Sequence, residues 1–440
     1  MSSATLVKLR INNAEQFKES VSEPSPNTNL YLVYGRTIAW ANDSDPPAAN
    51  TSVATEYEIW NNMIGGKRIT GNEMRHVIPR YNWSTDTKYI AYDHMNPNLY
   101  DSNVRFYVIT QDFNVYKCLS NNYSSNSTVE PTSLNTTAVS QTADGYIWKY
   151  MYSLTEDDKL NFTTSSYIPV RTVGSDDGST QWTVQTNAIE GTINIILVTN
   201  GGSGYTNVSN LSVTISGDGT GATATASINT VSNIVSNVTV TNFGTGYSYA
   251  TVSIGGGGGS GANARAIISP PDGHGSNPLY ELGGFNVMVN AKIRNSENGI
   301  LPTSNDFRQI GIIKDPYILD TTEVATNTAF FQGQTLTTAG SGNFTVDEFV
   351  YQGASLATST YNARVLEWDS ANGIVKVVNI TGTPLAGTLT GATSSTTRFI
   401  TSVDDVDFHP FSGQLLYIDN IKPIIRSIDQ TESFRIVLKF

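Results

Sequence analysis

The sequence predicts a mainly β, multi-domain protein with a few short helices. Three observations carry this expectation. Charged residues make up only 15% of the 440 residues, while Asn, Ser, Thr, Gly and Tyr are plentiful, which favours strands and turns over the Glu-, Lys- and Ala-rich surfaces of helices. Short apolar runs bounded by Gly, Asn, Asp and Pro recur along the chain. Residues 193–268 hold an internal repeat: ILVTNGGSGYTNVSNLSVTISGDGTGATATASI is followed by VTVTNFGTGYSYATVSIGGGGGSGANARAII. In it Tyr205 matches Tyr247, and Gly221-Ala222 matches Gly261-Ala262. With 39% hydrophobic residues and 22 Tyr, the chain has the apolar surface to fold, and its length suits roughly two to four domains.

Taken in order, Asn13 caps a short helix that places Phe17 and Val21 on one face. Leu30 to Tyr34 is a strand, followed by the loop of Trp40, Pro46 and Pro47. Ser52 caps the clearest helix, with Val53, Tyr57, Trp60 and Ile64 on one face and Gly65-Gly66 as its stop. Val77 to Trp83 is extended. Phe106–Thr110 and Val115–Leu119 form a hairpin across Gln111 to Asn114, and the polar segment 120–143 is a surface loop. In the next strand Tyr146, Trp148, Tyr150 and Tyr152 share a face by the period of two. Near residue 185 the Gly-rich repeat begins, its glycines supplying the positive φ of tight turns. The strand Phe307–Ile313 returns to the earlier style. Short strands at 348–351, 363–368 and 374–380 follow. The chain closes with Gly413 to Phe440, read as a strand, a second strand marked by Pro423, the turn Asp429 to Glu432, and a last strand. In that last strand Phe434, Ile436, Leu438 and Phe440 alternate with polar neighbours, so it is half buried and its end is tied into a sheet.

These changes of style define the expected organisation. Residues 1–184, 271–324 and 403–440 form one discontinuous core. Residues 185–270 are an inserted Gly-rich two-copy β module. Residues 325–402 are a second inserted module, a small barrel or sandwich. Trp60, Trp83 and Trp148, together with Phe434, Ile436, Leu438 and Phe440, are the expected anchors of the core. Trp40, Pro46 and Pro47 are the expected partner contacts.

The composition excludes several function classes. The net charge is −12 with 26 basic residues and no dense run of them, so neither nucleic acid nor an anionic membrane is an expected partner. No run approaches a membrane span. The start MSSATLVKLRINN has no secretory h-region, so synthesis in the cytoplasm is expected. The lone Cys118 lies in an apolar run and reads as a small core residue. His76, His94, His274 and His409 stand in four separate contexts without metal-ligand spacing. The glycines from Gly255 to Gly259 lack the Lys of a phosphate-binding loop and read as a turn. The acidic clusters Asp404-Asp405-Val406-Asp407 and Glu156-Asp157-Asp158 lack calcium-loop spacing and read as solvated turns. Neither a nucleophile elbow nor a nucleophile–His pattern is present. No catalytic residue, cofactor, metal or small-molecule substrate is therefore expected, and the aromatics are read as core and contact residues.

One resemblance extends this reading. Tyr34-Gly35-Arg36 with Trp40, the helix through Trp60 to Met63, Val77-Ile78-Pro79-Arg80 with Trp83, Asp144-Gly145-Tyr146 with Trp148 and Tyr150, Phe307-Arg308-Gln309-Ile310, and Pro423-Ile424-Ile425 with Asp429 to Glu432 occur in this order. Together they resemble the baseplate wedge subunits of T-even-type contractile-tailed bacteriophages, the gene product eight family. The resemblance covers about 1–170, 280–318 and 405–440; the two modules and the loop 120–143 fall outside it. It implies a virion structural protein of the tail baseplate without catalysis. That protein is a homodimer that holds neighbouring wedge proteins together and takes part in tail assembly and in the rearrangement triggered by host attachment. The alternative is a fibre-like or adhesin protein whose modules bind host surface glycans, and a third class, a tail-associated glycan hydrolase, needs a cleft with paired carboxylates.

Overall fold

The computed structural model describes residues 6–24, 28–303 and 305–440. Strands hold 43% of the chain and helices 12%, so the protein is mainly β with several sheets, a barrel and few short helices. It divides into two compact units. One takes the chain up to Glu15, Arg75–Met288 and Val437–Phe440; the other takes Gln16–Met74 and Val289–Ile436. The first helix runs Val7–Ser22, so Asn13 lies within it rather than capping it.

The first unit contains a sheet dense in aromatics. Its strand order is Tyr107–Ile109, Asn114–Ser120, Ile147–Ser153 and Ser140–Gln141. The first two strands are the expected hairpin, with Tyr107 opposite Lys117. A bulge then alters the expected single face. Val115 lies opposite Tyr152, but the next residue, Tyr116, lies opposite Tyr150. One residue is skipped, and a one-residue slip sends a side chain to the other side of a sheet. Tyr146, Trp148 and Tyr150 therefore pack with Tyr89, Tyr116 and Cys118, whereas Tyr152 joins Ile109, Val115 and Met151 in a separate cluster. Trp148 is fully buried and stacks on Tyr146 at 5.5 Å. Trp83 is half-buried against the same cluster and donates from Nε1 to Ser127 Oγ at 3.2 Å.

The two copies of the repeat interlock rather than stand side by side. Copy one supplies Ile193–Ser203, Ser212–Gly217 and Thr220–Asn229; copy two supplies Ile234–Thr245, Ala250–Gly255 and Ser260–Ile268. The first strand of each copy pairs with the last of the other, and the middle strands pair together. The matched tyrosines are swapped in the same way. Tyr205 OH accepts from Ala262 N at 3.3 Å, and Tyr247 OH accepts from Ala222 N at 3.4 Å. Gly259 lies against the Tyr205 ring and Gly219 against the Tyr247 ring, where a Cβ would sit 2.5 Å from ring carbon in each case. Neither copy can bury its apolar face alone, and the pairing supplies the partner. The outermost strands bring the entry and exit together, with Ile193 opposite Ile268.

The second unit is built on a five-stranded sheet in the order Ala329–Phe331, Met63–Ile69, Leu30–Gly35, Asp306–Lys314 and Gln414–Ile425. Leu30–Gly35 is buried at every position, which explains its unbroken apolar run. The helix Val53–Asn62 carries its expected Ser52 cap, but it buries Thr55, Ile59 and Trp60. Val53 and Tyr57 face outward. Gly65 and Gly66 do not stop the helix; they lie in the following strand. A Cβ on Gly66 would come 2.3 Å from Leu32 O and 2.6 Å from the Phe330 ring, so glycine is there for close approach.

Residues Gln334–Ala339, Ile374–Thr381, Tyr361–Asp369, Phe349–Gln352, Gly387–Gly391 and Thr397–Asp404 close into a barrel in that order. Leu336, Val350, Val365, Val377, Leu389 and Ile400 fill it. Its first and last strands are neighbours, with Thr335 opposite Asp404.

The closing hairpin expected from sequence does not form. Gln414–Ile425 is a single strand at the edge of the five-stranded sheet, and Thr431–Lys439 lies at the edge of another sheet, beside Asn286–Arg294. An edge position accommodates Pro423, which has no N–H to donate. Phe434 and Ile436 are buried, at 8% and 5% exposure, while Leu438 and Phe440 are half-buried.

Candidate functional site

Two features stand out chemically: a cluster of buried charges in the first unit and a pinned surface loop in the second. The cluster begins with two lysines in one sheet. Lys117 and Lys149 are direct partners across adjacent strands, and their exposures are 0% and 3%. Like charges opposite one another repel, and a buried charge without a partner is costly. Partners are supplied. Lys117 Nζ donates to Glu281 Oε2 at 2.8 Å and to His274 Nδ1 at 3.1 Å. It also lies 4.0 Å from the Tyr92 ring centroid. Lys149 Nζ donates to Thr136 O at 3.1 Å. Glu281 Oε1 accepts from Gly275 N at 2.7 Å.

The protonation states follow from these contacts. Burial pushes Lys117 downward, opposed by Glu281. Burial takes Lys149 down to about 8, against the attraction of Glu281. Burial and then the Lys117 charge push His274 down to about 4, so its imidazole is neutral. Burial alone would raise Glu281, but Lys117 and His274 outweigh it and hold the carboxyl at about 2. The cluster is thus a neutral imidazole, one carboxylate and two ammonium groups in contact with protein. It ties the segment 274–281 to the aromatic sheet. His274 Nδ1 is occupied by Lys117, so it is not a free base.

A pH prediction follows. An unfolded His titrates near 6.5 and Glu near 4.5. Both folded values are depressed, so between the folded and the unfolded value of each group the unfolded chain binds more protons. Stability attributable to His274 is present above pH 6.5 and is lost as pH falls toward 4; that of Glu281 is lost between 4.5 and 2. Thermal melting followed across this range should show a progressive acid loss, and His274→Phe should flatten the arm between pH 6.5 and 4.

Sequence reasoning missed this cluster, although the signal was present: Val115-Tyr116-Lys117-Cys118 and Trp148-Lys149-Tyr150 each place a lysine inside an aromatic or apolar run. The other histidines stay apart from it. His76 Nδ1 lies 3.0 Å from Gly284 O, and His94 sits 3.8 Å from Asp93. Among the described residues no group of three or more His, Cys, Asp or Glu side chains is placed to hold a metal. Cys118 is buried and its thiol is pushed up by burial.

In the second unit, Arg308 pins the loop that carries Trp40, Pro46 and Pro47. Its guanidinium gives three bonds of 2.9–3.0 Å to Asp43 and one of 2.9 Å to Thr37 O. Asp43 Oδ1 also accepts from Trp40 N at 2.7 Å, and these bonds, Arg308 first, hold its carboxyl below the usual range. Arg36 pairs with Glu58 and lies 3.5 Å over the Trp40 ring. Trp40 Nε1 donates to Ile421 O at 3.3 Å, and Asn420 Nδ2 donates to Pro47 O at 3.0 Å. Trp40 and Pro46 are half-buried, and Pro47 is exposed. A second surface lies on the outward side of the helix Val53–Asn62, where the exposed Tyr57 and Phe411 rings meet at 5.1 Å. Phe411 has a φ of 62°, a left-handed conformation that is unusual for a bulky residue.

Residues 3–120 match the family described as Bacteriophage T4, Gp8. Baseplate wedge protein gp8 of Enterobacteria phage T4 is 22% identical over 197 residues, which cover 37% of this chain and 59% of that protein. The match thus spans under two thirds of the relative's length. By these two matches, part of the chain is similar to the gp8 family of baseplate wedge proteins.

Proposed function

We propose that this chain is a non-enzymatic structural subunit of a contractile-tail baseplate wedge and resides in the virion. The observation that carries the reading is the match of residues 3–120 to the Gp8 family. The work of such a subunit is mechanical: a homodimer holds neighbouring wedge proteins together, assists tail assembly and rearranges when attachment triggers the tail. Nucleic acid, membrane and small-molecule substrates have no part in it. The pinned loop with Trp40, Pro46 and Pro47 suits a contact surface, because ordered apolar side chains lose little entropy on docking. Trp60, Trp83, Trp148, Phe434, Ile436, Leu438 and Phe440 anchor the core that carries these surfaces. The segments 185–270 and 325–402 are insertions, a reading supported by the pairing of their entry and exit strands.

Sedimentation equilibrium of the purified chain tests the dimer. A stable dimer buries more than about 1,000 Å² and should persist at micromolar concentration. A strict monomer there would remove the homodimer from this account.

A further inference from the structure

The first unit contains a cleft of about 730 Å³ between the aromatic sheet and the interlocked repeat, a size in the range of small-ligand sites. Its apolar lining is aliphatic, from Leu119, Val139, Ile147, Ile195 and Ile267. Its polar lining is dominated by amides: Asn96, Asn121, Asn122, Gln141, Asn194 and Asn237. Asp93 is the one charged residue of the lining, and Arg265 engages both its oxygens, at 2.9 and 2.5 Å. The cleft therefore offers no uncompensated charge to an ion. Both ends of the Asn121 and Asn237 amides are engaged within the protein, as are Asn96 Oδ1, Asn122 Nδ2 and Asn194 Oδ1, so the Gln141 amide, Asn122 Oδ1 and the Nδ2 groups of Asn96 and Asn194 are the donors and acceptors that meet a hydroxyl group, itself both donor and acceptor. Three aromatic residues, Tyr92, Tyr123 and Phe243, also line the cleft.

The wall that carries Tyr123 is strained. Asn122, Tyr123 and Ser124 have φ of 43°, 55° and 66°, three consecutive left-handed residues without a glycine. Each costs roughly 1–2 kcal/mol, and such strain gathers where geometry serves a ligand. The turn is held by Ser124 N donating to Asn121 Oδ1 at 3.1 Å, by Ser125 Oγ donating to Asn122 O at 2.7 Å, and by Asn122 Nδ2 donating to Asp144 O at 3.0 Å. Tyr123 OH reaches over to Ser236 O at 2.8 Å and Asn237 Oδ1 at 2.9 Å, which fixes a 54% exposed ring at the cleft.

We propose that this cleft binds a short, uncharged, hydroxyl-rich oligosaccharide. The inference is independent of the wedge role and goes beyond it. The probes are neutral oligosaccharides of glucose, galactose, mannose and N-acetylglucosamine, added to the intact chain and followed by saturation-transfer NMR and calorimetry. At least one should bind with a Kd of about 1 mM or tighter. Asn194→Ala and Phe243→Ala, each with an unchanged circular-dichroism melt, should weaken it by roughly tenfold. A sulfated or sialylated analogue should bind no more tightly. Absence of binding by every neutral probe at about 10 mM, or binding that both folded variants retain in full, would overturn the proposal.

Discussion

Glu281→Gln should destabilise the protein by about 3–5 kcal/mol, the typical loss when one partner of a buried ion pair is removed. The substitution keeps the shape of the side chain and removes its charge. Lys117 would then lie fully buried opposite Lys149 with no carboxylate between them. The affected bonds are the 2.8 Å contact of Lys117 with Glu281 Oε2 and the 2.7 Å contact of Gly275 N with Oε1. Urea unfolding followed by tryptophan fluorescence reads the effect, because Trp148 lies in the neighbouring aromatic cluster. The double variant Lys117→Met with Glu281→Leu should recover most of the loss, since replacing both members of a buried pair by apolar groups is often close to neutral. A single variant that shifts stability by less than about 1 kcal/mol would show that the pair is not holding the segment 274–281.

Arg426→Met should cost a similar amount, about 3–5 kcal/mol. Arg426 is 1% exposed. It donates to Tyr34 OH at 2.9 Å, to Pro302 O at 2.8 Å and to Asn295 O, and it pairs with Glu432 at 3.4 Å. The residue joins the end of the five-stranded sheet to the start of the closing strand, so its loss leaves several acceptors without a donor. It also leaves a buried Glu432, whose carboxyl burial already raises, without its cation. Arg426→Lys should not rescue stability, because a single ammonium cannot reproduce the guanidinium fork. Equal stability of the Lys variant and the parent, measured by urea midpoint, would show that charge alone suffices.

These two sites mark the limit of what the sequence discloses. Patterns with a local cause were legible: the alternation that buries Phe434 and Ile436, the Ser52 cap, the hairpin across Gln111 to Asn114, and the repeat. Features set by long-range pairing were not. Thr431–Lys439 looked like the second arm of a hairpin because Asp429 to Glu432 has turn chemistry, yet its partner is a strand far earlier in the chain. Gly65-Gly66 has the appearance of a helix stop, but the reason for glycine at 66 is the Phe330 ring, which no local window contains. The slip that turns Tyr152 away from Tyr150 is a property of two strands together and cannot be seen in one. The charged cluster draws Lys117, Lys149, His274 and Glu281 from three distant segments. Only the incongruity of lysine in an apolar strand pointed to it.

The wedge assignment itself rests on likeness in the first part of the chain, and location in the particle tests it most directly. A cryo-electron microscopy map of intact virions carrying this chain should show its β modules in the tail baseplate, as paired copies in contact with neighbouring wedge proteins. The chain on a fibre, or its absence from the particle, would contradict the account.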